Sequence, residues 1–404
     1  MNVHVSQSPE AQKEERELLD VKNCLMSGQT NSNAMGVVYN ALTGSTILTN
    51  DNMTIDLELL YDCLTVLTYT PQLSTWKDRV KKHHIYLLSG KSLFSSLLPE
   101  DFYYTKGDVI IREGVLIKGI ITKDHIGPSV NSIIQNLWKE YGVIRAVAFI
   151  SDCNFLINYW LKFQGLSIGI TDCNPTDQKL KDTVSKEIER SKLLADSFGG
   201  HVDDPIEQDR RERQIIASID NVKKIGDKIL KENITSDNPL SQMIKSKSKG
   251  KETNLTQMTA LVGQQFLGGK RLDAGLAFFD KDDPDYALES RGFVKSSFMN
   301  GLTPAELFFT QSSGREGLID TALNTSESGS IHHYIIKAME DVLIELDGSV
   351  RNVYRTIYQF SYGYDGLDPS HLVKVPIGET KSLSFINMRS EVEKLNAKYA
   401  NYKV

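Results

Sequence analysis

The chain has 404 residues, too many for one ordinary domain and enough for roughly two to four at about 150 residues each. A hydrophobic share of 40%, a charged share of 24%, 28 Gly and 11 Pro exclude collagen-like, low-complexity and largely disordered chains. A net charge of −6 argues against a surface coated for nucleic acid, although a local basic patch survives such an average.

No run reaches the ~18 apolar residues of a membrane span, and the opening MNVHVSQSPEAQKEERELLD is polar where a signal peptide is apolar. An intracellular protein without membrane contact is expected. Cys24, Cys63, Cys153 and Cys173 stand far apart with no CxxC pair, so the expectation is buried free thiols, with neither a zinc site nor a disulfide framework.

In chain order, residues 1–70 read as mixed α+β, with strand-like runs at Val37-Val38 and Ile47-Leu48 punctuated by Gly36, Gly44 and Asn50-Asp51-Asn52. Val109-Ile110-Ile111 and Val115-Leu116-Ile117 flank Arg112-Glu113-Gly114, which predicts a hairpin, and Gly119–Thr122 continues the sheet. Residues 131–161 predict helix. From 176 to 235 two amphipathic patterns follow, Leu180, Val184 and Ile188 on one and Ile215, Ile219, Val222, Ile225 and Ile229 on the other. The break at Phe198–Pro205 leaves two readings open, a projecting αα-hairpin and an ordinary packed pair. Lys245-Ser246-Lys247-Ser248-Lys249-Gly250-Lys251 reads as a solvated loop or as a lip that attracts phosphate.

Gly301-Leu302-Thr303-Pro304-Ala305-Glu306 is the clearest local signal: Thr303 as N-cap, Pro304 at the first helical position and Glu306 at the third combine a capping box with the favoured proline. The helical pattern then runs to about Leu343, roughly 60 Å if continuous. Phe308, Phe309, Leu318 and Ile319 predict an anchored first end, and Ile331, Ile335, Ile336 and Met339 a second. Between them Asn324–Ser330 offers short side chains and one carboxylate. Gly314, Gly317 and Gly329 each cost a helix about 1 kcal/mol relative to Ala, so the strut must be held from outside. Two helices broken at Gly314 or Gly329 are the alternative.

Several motifs fail on spacing. Ser89-Gly90-Lys91-Ser92 lacks the first glycine of a P-loop, whose place is taken by Ile85. His83-His84 and His332-His333 are adjacent, not three or four apart as ligands on one helix face must be. Asp282-Asp283-Pro284-Asp285 reads as a solvated turn.

Taken together, Gly292-Phe293-Val294, Gly301-Leu302-Thr303-Pro304 and Gly314-Arg315-Glu316-Gly317-Leu318-Ile319-Asp320-Thr321-Ala322 strongly resemble the bridge-helix region of the largest subunit of multisubunit DNA-dependent RNA polymerases, in its eukaryotic and large-DNA-virus branch. The likeness continues in Lys337–Asp341, Arg351-Asn352 and Gln359–Gly366. Upstream, Gln257-Met258, Gly263-Gln264-Gln265 and Gly269-Lys270-Arg271 are similar to the funnel, and Leu88–Lys91 to the pore. Met1–Ser8 resembles the stretch that follows the NADFDGD run, whose aspartates hold the catalytic magnesium. The sequence departs from the family pattern at Asn324, Ser326, Ser330, His333 and Tyr334, where the family carries lysine, alanine, an aromatic residue and two arginines. Weaker phosphate contacts and a looser hold on the template base are the expected result.

The resemblance implies an α+β multidomain fold, with a mixed-sheet pore region, a helical-hairpin funnel and a long bridge helix. It divides the chain into the end of the active-site domain (1–70), pore (71–175), funnel (176–300), bridge helix (301–345) and the start of a cleft-lining region (346–404). It implies DNA-directed RNA synthesis from ribonucleoside triphosphates. Thr321, Ala322, Thr325, Ser326 and Gly329 would lie near template and nucleotide, and Asn254, Gln257, Gln264 and Gln265 on the nucleotide entry route. It implies no catalytic residue and no metal ligand in this chain. Mg2+ would be held elsewhere in the assembled enzyme, and the isolated chain would be inactive. Partners would be the second-largest subunit, the remaining segments of the largest, DNA template and RNA. The location would be the nucleus, a cytoplasmic viral factory or a virion. A non-catalytic helical interaction module, or a decayed polymerase fragment, is the competing reading.

Overall fold

Apolar side chains between Leu25 and Trp160 meet in one core, and this core organises the first of two units, drawn from residues 1–167, 242–249 and 367–404; residues 168–241 and 250–366 form the second. The computed structural model describes residues 3–173, 182, 185–190, 193, 204–233, 238–272, 288–377, 380–384, 388, 392 and 395–396, and for 221–233, 374, 376–377 and 380–384 the backbone only.

The first unit opens with α1 (Pro9–Glu14) and the short antiparallel pair β1 (Met26–Ser27) and β2 (Ser32–Asn33). Helices α2 (Tyr39–Leu48), α3 (Leu57–Thr65), α4 (Leu73–Lys82) and α5 (Gly90–Ser95) follow. Ile47-Leu48 is therefore helical and not a strand, and Val37-Val38 lies outside any strand. The reason is complete burial. Ala41 to Leu48 are all buried, and hydroxyls that favour extended chain in water bond back to the helix instead, Ser45 to the Ala41 carbonyl at 2.7 Å and Thr46 to that of Leu42 at 3.1 Å. A Cβ on Gly44 would stand 2.4 Å from Ile157 Cγ2, so this glycine marks where α7 (Ile133–Gln164) crosses α2.

The predicted hairpin is β4 (Val109–Arg112) and β5 (Val115–Lys118), with Glu113 (φ 49°) and Gly114 (φ 68°) left-handed in its turn, as a two-residue hairpin loop requires. The third strand is β3 (Tyr104–Lys106), upstream. Gly119–Thr122 leaves the sheet, contrary to expectation, because α2 captures it: the Ile121 N–H donates to Thr49 Oγ1 at 3.0 Å and its carbonyl accepts from Thr46 Oγ1 at 2.7 Å. Thr122 then caps α6 (Lys123–Ile126). The helix expected over 131–161 is α7, kinked where Gly142 takes φ 82°.

In Lys245–Lys251 the four lysines and Gly250 are exposed, as a solvated loop requires, but the serines between them tie the run to the first unit. Ser246 is fully buried and its carbonyl accepts from the Lys123 N–H at 3.1 Å, Lys247 pairs with Asp124, and Ser248 Oγ accepts from Thr43 Oγ1 at 2.7 Å. Lys91 is buried beside Asp51, and a Cβ on Gly90 would collide with the Leu48 carbonyl at 1.8 Å, which agrees with a structural role for Gly90-Lys91. A late segment also joins this unit: Asn31, itself left-handed and buried, donates its side-chain amide to the carbonyls of Pro369 and Leu372, both at 2.5 Å.

All four cysteines are free; Cys63 and Cys153 are buried as expected, whereas Cys24 is exposed and Cys173 half-exposed. Burial pushes the Cys153 thiol up to about 12, which makes it inert as a nucleophile at neutral pH. Among the described residues no helix is long and apolar enough to cross a membrane.

The second unit holds α8 (Pro205–Asn233). Ile219 is buried on it and Ile215 half-buried, as the spacing predicts. Leu180, Val184 and residues 198–203 of the break at Phe198–Pro205 lie outside the described residues, as does Asp282–Asp285; so do the side chains of Val222, Ile225 and Ile229. Helix α9 (Pro239–Lys245) leads out of this unit, and α10 (Glu252–Thr259) returns to it. Next come β6 (Gly263–Gln264), β7 (Phe266–Leu267), β8 (Lys270–Arg271) and β9 (Phe293–Val294); β6 pairs with β9, and β7 with β8. Then follow α11 (Pro304–Met339) and the small sheet β10 (Leu343–Ile344), β11 (Val350–Arg351) and β12 (Ile357–Gln359). In the first unit β13 (Val373–Ile377) and β14 (Thr380–Ser384) form a last hairpin. Helices with small antiparallel sheets make the chain α+β.

Candidate functional site on the long helix

Helix α11 begins where its sequence says. Thr303 Oγ1 accepts the Glu306 N–H at 3.4 Å, and Glu306 Oε2 accepts the Thr303 N–H at 2.9 Å. The carboxylate does more than close a capping box. Its Oε1 also accepts the N–H groups of Lys295 and Ser296, each at 3.1 Å, so one buried side chain ties the helix start to the chain leaving β9. Burial raises the Glu306 pKa, and the N–H groups of Thr303 and Ser296 outweigh it, holding the carboxyl below its usual range. Glu306→Ala is expected to destabilise the chain by about 2–3 kcal/mol, since three backbone donors lose a charged acceptor; the change in thermal midpoint measures it.

Beyond that anchor the helix continues unbroken for 36 residues, about 54 Å at 1.5 Å each, so neither Gly314 nor Gly329 interrupts it. Only Glu306 and Phe309 are buried. Phe308, Leu318 and Ile319, expected to anchor the first end, are 41%, 75% and 49% exposed, and Ile331, Ile335, Ile336 and Met339 are exposed as well. Among the described residues the strut is held at one end.

Thr321, Ala322, Thr325, Ser326 and Gly329 are all exposed on α11, and at about 100° per residue they share one face roughly 140° wide. Their hydroxyls partly fold inward: Thr321 Oγ1 donates to the Gly317 carbonyl at 2.8 Å, and Thr325 Oγ1 to that of Thr321. A Cβ on Gly329 would meet nothing within 4 Å. The face is thus small, bare and largely self-satisfied, suited to a close flat neighbour and not to proton transfer.

The other candidates sit before α11. Asn254 Oδ1 accepts the Lys251 N–H at 2.9 Å at the start of α10, and the Gln257 carbonyl accepts from the Phe298 N–H at 3.2 Å. Gln264 Nε2 donates to the Arg291 carbonyl at 2.7 Å, and Gln265 Nε2 to that of Gly263 at 3.2 Å. Gln264 ends β6 and Gln265 follows it before β7, with both amides engaged by backbone. Sequence reasoning missed Glu212. On α8, it grips Arg271 through two hydrogen bonds of 2.7 and 3.0 Å and Arg291 through one of 2.6 Å. Burial raises the Glu212 pKa, but Arg271 and Arg291 more than reverse this, leaving it lowered. Because the folded pKa is depressed, the stability Glu212 contributes is full above its unfolded value of about 4.3 and is lost as pH falls through the folded one. Acid titration of the thermal midpoint is therefore expected to be steeper below about pH 4.3 for the native chain than for Glu212→Gln.

Among the described residues no three His, Cys, Asp or Glu side chains gather as a metal ligand set, so these residues do not fit a magnesium centre. What the geometry offers is positioning.

The fold and the sequence meet in comparison with known proteins. Residues 24–173 match RNA polymerase Rpb1, domain 3; residues 186–294 match Rpb1, domain 4; and residues 301–392 match Rpb1, domain 5. The chain belongs to the family of RNA polymerase largest subunits. It is 32% identical, over 93% of its length and 40% of the relative's, to a probable DNA-directed RNA polymerase II subunit RPB1 homolog of Invertebrate iridescent virus 6. Over 91% of its length it is 32% identical to 39% of the DNA-directed RNA polymerase subunit Rpo1N of Halobacterium salinarum. It spans about two fifths of these curated relatives.

Proposed function

We propose that this chain is the part of an RNA polymerase largest subunit that positions template and nucleotide during template-directed RNA synthesis from ribonucleoside triphosphates. In this reading residues 1–70 end the active-site domain, 71–175 are the pore, 176–300 the funnel, 301–345 the bridge helix and 346–404 the start of a cleft-lining region. Thr321, Ala322, Thr325, Ser326 and Gly329 face the template base and incoming nucleotide. Asn254, Gln257, Gln264 and Gln265 border the entry route. The supporting observation is the unbroken helix of 36 residues whose small-residue face is bare, inside the stretch matching Rpb1, domain 5. A helix with so little packing is stable only if something else covers it. The exposed Ile331, Ile335, Ile336 and Met339 suit the second-largest subunit and the other segments of the largest, with DNA and RNA along the bare face.

Phosphoryl transfer asks a protein mostly for alignment and charge stabilisation. Small side chains on a stiff helix supply the first. The Mg2+ of the assembled enzyme would supply the second from ligands outside the described residues. Such an enzyme works in a nucleus, a cytoplasmic viral factory or a virion. The purified 404-residue chain is expected not to extend a primed template at any magnesium concentration, whereas the chain assembled with the segment bearing the metal aspartates and the second-largest subunit is expected to do so. Failure to associate with those partners would favour the non-catalytic interaction module.

A further inference from the structure

Helix α4 carries basic residues on two sides. On one, Arg79, Lys82 and His83 are matched by acids: Lys82 Nζ donates to both oxygens of Glu113, at 2.8 and 2.9 Å, His83 Nε2 stands 3.3 Å from Glu113 Oε2, and Arg79 lies 3.7 Å from Glu100. At about 100° per residue, Lys77 and Lys81 stand on the opposite side. Their charge is not answered in the same way. Among the described residues Lys77 Nζ donates to the Tyr61 hydroxyl at 2.7 Å, and no carboxylate pairs with Lys81 or His84.

The end of the same helix builds a groove beside them. His84 is left-handed at φ 56°; its N–H donates to the Lys81 carbonyl at 3.0 Å, and the Ile85 N–H donates to that of Val80 at 3.1 Å. These two bonds make the Schellman ending of a helix, which brings the residue after the left-handed one onto an apolar residue of the last turn. Here the two are Ile85 and Val80. With Leu87 they floor a groove of about 560 Å³ whose rim holds Lys77, Lys81, His84 and the 61% exposed Tyr86, with Asp78 the one acid among them. The left-handed place in such an ending is normally glycine, so an imidazole there costs stability that the ending itself does not require.

We propose that this groove is a docking site for an acidic segment of another protein, a short peptide with one aliphatic or aromatic anchor set among carboxylates. The apolar floor takes the anchor, Tyr86 flanks it, and Lys77, Lys81 and His84 face its acids. Charge complementarity selects this occupant: three basic side chains stand against one acid, on a chain whose net charge is −6. A nucleic-acid strand fits less well, because its closely spaced phosphates would run over an apolar floor and past Asp78. The groove lies wholly in the first unit, and docking there is independent of nucleotide addition.

The test uses the purified 404-residue chain and a fluorescein-labelled peptide, DEELFDEE, followed by fluorescence anisotropy. The peptide is expected to bind with a Kd of about 10–100 µM and to slow hydrogen exchange across residues 77–87. Two altered peptides, NQQLFNQQ without charge and DEEGSDEE without anchor, are each expected to bind about tenfold more weakly. Lys81→Glu is expected to weaken binding about tenfold and Tyr86→Ala about fivefold, with thermal midpoints close to native. His84→Gly separates docking from packing: glycine relieves the left-handed backbone, so the thermal midpoint is expected to rise by about 2 °C while peptide affinity falls several-fold. No saturable binding below about 1 mM overturns the docking site, as does equal binding of the anchorless peptide or exchange protection away from residues 77–87. Full affinity in Lys81→Glu or in His84→Gly overturns it too, and tighter binding of a single-stranded oligonucleotide at the same salt replaces the acidic segment with a nucleic acid.

Discussion

Gly329→Pro is expected to abolish nucleotide addition by an assembled polymerase while leaving the first unit folded. Proline removes the backbone donor at position 329 and clashes with the preceding turn, at a cost of about 3 kcal/mol or more. The helix has no means of absorbing this, because Phe309 and Glu306 hold only its start, twenty residues away, and the side chains of its second half are exposed among the described residues. Residues 330–339 would lose their alignment with the anchored part. Gly329→Ala is the control: open space surrounds the site, and alanine is expected to strengthen the helix by about 1 kcal/mol. Single-nucleotide addition, with hydrogen exchange over 325–339, measures both. Full activity in the proline variant would mean that the strut is not needed intact.

Ser326→Trp separates a working face from an idle one. The side chain is exposed and without packing neighbours, so the larger residue is expected to leave the thermal midpoint within about 0.5 kcal/mol of the native chain. If the face lies against template and nucleotide, the indole occupies their place, and addition is expected to fall about a hundredfold or more, as it does when reacting groups are displaced by about an ångström. Elongation at the native rate would remove Ser326 and its neighbours from the site.

What the sequence made legible were features written within a few residues of one another. Thr303, Pro304 and Glu306 mark the start of α11 because a capping box is local, and the hairpin around Glu113-Gly114 follows from alternation broken by a turn. Burial defeated the same method at α2. Ile47-Leu48 reads as extended until a surrounding core makes helix the cheaper way to satisfy the backbone and the hydroxyls of Thr43, Ser45 and Thr46 beside it. In Lys245–Lys251 the charges announced the exposed lysines but not the packing of the serines between them. Family likeness singled out residues of α11 and the pair Gln264-Gln265, but no pattern announces a carboxylate that meets arginines 59 and 79 residues away.

Asn31 sets a schedule for synthesis. Its amide is satisfied by the carbonyls of Pro369 and Leu372, 338 and 341 residues further along. A ribosome adding about 5–20 residues per second needs roughly 20–70 s to cover that interval. For that time the Asn31 amide is left to water, and the first unit lacks the roughly 0.5–1.5 kcal/mol that each of the two hydrogen bonds contributes. The first unit therefore reaches its final stability only once residues 369–372 have emerged.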